Sequence, residues 1–107
     1  MSRIIEIDEL MDLAAIDGDF NQGRVKSWQD AAEAEIISFT GLDFDDRKYP
    51  DSKISMFLDV ARVFVQERVR ENFLAPNYVA RGIDGLKIRL SLMADELKAE
   101  VGDGGTT

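Results

Sequence analysis

The chain contains no cysteine and no histidine. Without cysteine there is no disulfide framework, no thiolate zinc site and no thiol nucleophile. Without histidine the commonest general base and the commonest transition-metal ligand are missing. Serine and cysteine triads of the usual kind go with them. Only 2 of the 107 residues are proline and 8 are glycine, so the composition is not that of a linker. Apolar runs are a few residues long, against the ~20 needed to span a bilayer. The opening Met1-Ser2-Arg3-Ile4-Ile5-Glu6 lacks the apolar stretch of a signal peptide. The expectation is a cytosolic chain with no anchor and no membrane contact.

What is present is an acidic, moderately apolar chain. Hydrophobic residues make up 45%, and 13 bases against 21 acids leave a net charge of −8. A chain of 107 residues is one domain, and folding buries about two-thirds of its surface, enough for a core without staples. The charge is uneven. Residues 1–21 carry −5, 22–60 carry −3, 61–90 carry +3 and 91–107 carry −3. Net acidity makes a poor general binder of phosphate backbones. A basic stretch between acidic ends suits a chain that meets copies of itself head to tail, or is an ordinary solvated surface.

Hydrophobic periodicity predicts four helices. The first runs from Asp8, as N-cap, to about Ile16, with Leu10, Leu13 and Ala14 on one face. Asp17-Gly18-Asp19 ends it, with Gly18 offering a left-handed conformation. The second runs from about Asn21 to Thr40. Its stripe is Val25, Trp28, Ala32, Ile36 and Phe39, widened by Ala31, Ala34 and Ile37, and Gly41 stops it. Residues 42–51 form a charged loop carrying Leu42, Phe44 and Tyr49. The third helix runs from Ser52, as N-cap, to about Asn72. Its apolar face is wide enough for a central helix covered on more than one side. After a break containing Pro76, the fourth runs from about Ile83 to Val101. Its seam is Ile83, Leu86, Leu90, Met93, Leu97 and Val101. Ile88 and Leu92 lie off that seam and imply a second partner, within the chain or outside it. The fold class expected is all-α: a small four-helix bundle over residues 1–101, with a long central helix, a projecting loop and a flexible tail over 102–107.

Several motifs invite chemistry and fall short. Asp17, Asp19 and Asn21 occupy the first three ligand positions of a calcium loop. Gln22 then stands where glycine is required and Trp28 where the bidentate glutamate closes the site. Asp43, Asp45 and Asp46 have no nucleophile, phosphate cradle or base beside them. Gly82-Ile83-Asp84-Gly85 lacks the Gly-Lys-Ser/Thr ending of a phosphate loop. Arg62, Gln66 and Arg70 form one polar line on the third helix, which Glu67 and Glu71 neutralise locally. Trp28, inside an apolar stripe, reads as core packing. No enzyme, cofactor or metal site is expected.

The order of features is more specific. A short acidic helix, Glu6-Ile7-Asp8-Glu9-Leu10-Met11-Asp12-Leu13, leads to an Ile16-Asp17-Gly18-Asp19 turn. A long helix follows, ending Ala31-Ala32-Glu33-Ala34-Glu35-Ile36-Ile37-Ser38-Phe39-Thr40-Gly41. A variable loop, Ile54-Ser55-Met56-Phe57-Leu58-Asp59-Val60-Ala61-Arg62 and a last helix complete it. This rhythm resembles the head–tail connector (head-completion, or adaptor) proteins of tailed bacteriophages, over about residues 5–98. The Lys87-Ile88-Arg89-Leu90 stretch matches their last helix only loosely.

The resemblance implies a structural virion protein at the head–tail interface, made in the host cytoplasm. It implies a ring, usually of twelve subunits, beneath the portal. The ring extends the DNA channel, with DNA passing through unbound, and docks the next neck, stopper or tail-completion protein. In residues, Leu86, Leu90, Met93, Leu97 and Val101 would grip the portal protein. Phe44, Asp45 and Tyr49 would meet the next neck component or a neighbouring subunit. Asp8, Glu9 and Asp12 would face Arg62, Arg68 and Arg70 of an adjacent subunit. Two other readings stay open: a small acidic regulator or DNA mimic binding a basic protein, and a metal-dependent enzyme subunit using the aspartate loop.

Overall fold

A computed structural model describes residues 3–102, the last two by backbone alone. Four α-helices follow in order: α1 Ile7–Leu13, α2 Gln22–Thr40, α3 Asp51–Leu74 and α4 Ile83–Leu97. A π-helical turn, Lys98–Gly102, extends α4. No strand occurs among the described residues, and the chain is a small all-α four-helix bundle. Of the tail expected at 102–107, Gly102 instead ends the π-helical turn, and residues 103–107 lie outside the described residues.

Both ends of α2 follow from its boundary residues. The Asn21 carboxamide oxygen accepts from the Arg24 N–H at 3.2 Å, which satisfies one unpaired donor of the first turn. Gly41, at φ 68°, donates its N–H to Ile37 O at 2.8 Å and closes the helix. The buried row of α2 is turned from the expected one. Val25, Gln29, Ala32, Ile36 and Thr40 face inward, while Trp28 and Phe39 sit half-buried on the flanks. Both polar residues donate hydrogen bonds from their buried positions. Gln29 Nε2 donates to Ile5 O at 2.8 Å, and the Thr40 hydroxyl donates to Ile36 O at 2.6 Å.

The end of α1 also differs from expectation. Glu6, not Asp8, is the residue before the helix, and the Asp8 carboxylate instead accepts from Gln22 Nε2 at 2.9 Å. The left-handed residue is Ala15, at φ 59°, not Gly18. Ile16 N–H donates to Met11 O and Ala15 N–H to Asp12 O, the paired bonds of a Schellman ending, with Ile16 and Met11 both buried. Asp17 then makes an Asx turn with the Asp19 N–H.

Helix α3 starts one residue before Ser52, with Pro50 as N-cap, and runs to Leu74. It is the central helix: Ile54, Phe57, Ala61, Phe64, Val65 and Val69 are buried between α2 and α4. The molecule is elongated, 50 × 26 × 18 Å. Lys98 reaches Thr40 O at 2.9 Å and Lys53 pairs with Glu100 at 2.6 Å, so one end joins the close of α2, the start of α3 and the end of α4. At the other end Gln66 donates to Leu13 O, and the Phe20 ring packs edge-on against Phe73 and stacked on Trp28.

The loop between α2 and α3 turns its charges outward and its apolar residues inward. Leu42, Phe44 and Tyr49 are buried. Arg3 holds it there, donating to Phe44 O and Tyr49 O at 2.6 Å each and to the Asp51 carboxylate at 2.9 Å. Phe44 and Tyr49 are therefore core residues and not outward contacts; of the expected contact set only Asp45 is exposed.

Candidate functional site

Helix α4 carries two apolar rows. The seam row closes the bundle: Leu90 and Leu97 are buried, and Leu86 and Met93 pack half-buried on the same core. An external portal could reach Leu90 or Leu97 only by opening the bundle, so these two cannot form an outer grip. The side chain of Val101 lies outside the described residues. The second row is the one left outside. Ile88 is 62% and Leu92 59% exposed, one turn apart. With Phe39 and Ser91 they line a shallow groove between α4 and α2. Lys87 borders it, its ammonium 5.4 Å from the centre of the Phe39 ring. On the other flank of α4, toward α3, a second groove is lined by Met56, Met93 and Glu96, beside the Lys53–Glu100 pair.

The arginines expected to face a neighbouring subunit are engaged within the chain. Arg68 grips the Glu35 carboxylate with Nε at 3.1 Å and Nη2 at 2.9 Å, and Glu71 with Nη1 at 2.9 Å. Lys87 approaches Glu35 at 3.5 Å, and the other Glu71 oxygen accepts the Ala80 N–H at 3.1 Å. This cluster ties α2, α3, α4 and the segment before α4 together. The Arg68 hydrogen bond holds the Glu71 carboxyl below its usual range, against the pull of desolvation. Burial works against the Arg68 charge, but its bonds to Glu35 and Glu71 outweigh that and raise its pKa. Arg62 pairs with Asp59 at 3.0 Å on its own helix. Arg70 leans on the Tyr78 ring at 5.3 Å and reaches Ala14 O at 3.4 Å. Each guanidinium thus already has a partner on its own chain, which removes the simplest form of the expected subunit pairing.

The acidic partners expected opposite them are placed differently. Asp8, Glu9 and Asp12 all lie on the outer face of α1, together with Leu13, which is 41% exposed. Among the described residues none of these three carboxylates has an ion pair.

The aspartate loop offers its oxygens to its own backbone: Asp43 accepts from Asp45 N–H and Asp46 from Lys48 N–H. Among the described residues no group of three or more potential ligands converges on a metal site. No helix among them is long and apolar enough to cross a membrane. Trp28 stacks on Phe20 at 5.9 Å under the Arg24 guanidinium, a flank cluster rather than deep core.

The chain matches no protein-family model, no curated protein and no solved structure. The surfaces described above therefore carry any functional reading. Ile88 and Leu92 were legible as off-seam residues. Leu13 was not, because the helical pattern assigns it to the buried face of α1.

Proposed function

We propose that this chain is a structural adaptor of the kind tailed bacteriophages place between head and tail. In this reading copies form a ring beneath the portal, extend the DNA channel and dock the next neck or tail protein. The protein belongs to the virion, performs no reaction and needs no cofactor. DNA slides through unbound, because an acidic lumen repels phosphates and leaves few cations to trade for counterions.

One observation carries the reading. The last of four helices closes the bundle with one apolar row and leaves a second, Ile88 and Leu92, turned outward. A helix with two apolar rows has more adhesive surface than its own chain uses. The order of helices, short, long, longest and then this one, supports the same reading through the family resemblance.

Electron microscopy of the chain mixed with portal rings from neighbouring reading frames tests it. A new ring of density on the portal's narrow end is expected, and an Ile88→Ser, Leu92→Ser variant should lose it. Bare portals at high protein excess and low salt would overturn the reading and favour a small acidic regulator of a basic protein.

A further inference from the structure

The groove of Phe39, Ile88 and Leu92 needs an occupant with an apolar tip and negative flanks. Lys87, which also approaches Glu35 at 3.5 Å, lines it, and Arg89 stands just outside it, next to Ile88 on α4. Arg89 is exposed, with no acidic partner among the described residues. The chain itself displays such an occupant. Outward from α1 stand Asp8, Glu9, Asp12 and Leu13, three carboxylates around one exposed leucine. Residues 4–23 contain six acids and no base.

We infer that the outer face of α1 docks into the α2–α4 groove of a second copy. Leu13 fills the space between Phe39 and Leu92, while Glu9 and Asp12 meet Arg89 and Lys87. The spacing agrees: Glu9 and Leu13 are four residues apart, as are Ile88 and Leu92, about 6 Å along each helix. Charge also sets the direction. Asp95 and Glu96 lie one turn beyond Leu92, whereas at the Ile88 end the one carboxylate of α4, Asp84, is outnumbered by Lys87 and Arg89, so the acids of α1 point toward the Ile88 end. The two helices then run parallel; the reverse alignment sets carboxylates against carboxylates.

A single molecule cannot make this contact internally. Leu13 O accepts from Gln66 on one face of α3, whereas Phe39 packs on Phe64, two residues away and so on the opposite face, with the Phe39–Phe64 ring centres 5.6 Å apart; α3 stands between knob and groove. Joining two different patches makes the contact heterologous, so every copy offers one free knob and one free groove. Arg89, the cation here with no acidic partner among the described residues, thus takes the place expected of Arg62, Arg68 and Arg70, with Lys87, shared with Glu35, as the second contact.

The inference rests on the self-assembling half of the adaptor reading and is tested without portal. Sedimentation of the full chain at low salt should show concentration-dependent association. Asp12→Arg or Arg89→Asp alone should weaken it about tenfold, and the two in one chain should restore it. Because the chain has no cysteine, Leu13→Cys and Ser91→Cys variants add a second readout. Mixed, they should form a 13–91 disulfide; separately, neither should link to itself. A monomer up to about 1 mM, single reversals without effect, a double variant no better than either, or Ser91→Cys linking to itself would each overturn the contact. Capping density on portals with no 13–91 link sinks this contact alone. The link without capping density sinks the portal reading alone.

Discussion

Ala15 holds φ at 59°, where its methyl crowds the following carbonyl. The cost to an alanine is about 1–2 kcal/mol, and glycine escapes it while losing more freedom on folding. Ala15 is exposed, so nothing else depends on its methyl. Ala15→Gly is expected to stabilise the fold by about 0.5–1 kcal/mol, read as a rise in Tm. An unchanged or lower Tm would mean that the Schellman ending of α1 is not formed as described. Glu71 offers a pH-dependent test at the same scale. Its carboxyl sits below the ordinary value of 4.5, chiefly through the Arg68 hydrogen bond. A depressed carboxyl contributes stability that is complete above its unfolded value and disappears as pH falls through its folded value. Glu71→Gln should therefore cost about 1–2 kcal/mol near neutrality, and wild type and variant should converge once pH falls below the lowered folded value of Glu71. Denaturant titrations at both pH values decide it; an equal gap at both would remove the ion pair as the cause.

The elements were legible where the chain marks its own boundaries and less so where a distant residue decides. Asn21 and Gly41 bracket α2 in the sequence and in the structure. The rotation of α2 was hidden, because Gln29 is buried through Ile5 O, 24 residues away. A periodicity count assigns glutamine to solvent and tryptophan to the core. The loop before α3 misled for a similar reason. Phe44 and Tyr49 looked like contact residues among charges, yet Arg3, 41 and 46 residues distant, folds their backbone inward. Phe44 is 1% exposed, so Phe44→Ala should cost about 3–5 kcal/mol, most of the stability of a small domain. Asp45→Ala should stay within about 0.5 kcal/mol. Chemical denaturation separates the two, and a stable Phe44→Ala protein would return the loop to the surface. Helix α4 yields the complementary comparison. Leu90→Ala should cost about 2–5 kcal/mol, whereas Ile88→Ser should leave stability nearly unchanged. Equal costs would mean that the outer row is packed within the chain and free for no partner.

At the scale of the molecule, charge segregation was readable from the sequence, but which charges remain available was not. Arg68 belongs to Glu35, 33 residues away, and only the packing of α2 on α3 brings them together. What remains is an elongated body with six acids and no base in residues 4–23, and unpaired cations such as Arg89 at a distance. Two effects of salt then carry opposite signs. Within one molecule the acids of the α1 end repel one another over distances that added salt screens, since the Debye length falls from about 30 Å at 10 mM to about 8 Å at 0.15 M. Close pairs such as Arg68–Glu35, at 2.9 Å, lie well inside either length and are weakened little. Tm at low protein concentration is therefore expected to rise by about 2–4 °C over that range. Between molecules the acidic face of α1 attracts the cations of the groove, and the same salt weakens that attraction. One titration followed by thermal melts and by sedimentation should show stability rising while association falls. If both fell together, intramolecular ion pairs would outweigh the repulsion of the acidic end. If association rose with salt, the contact between copies would be apolar first, with charge setting only its direction.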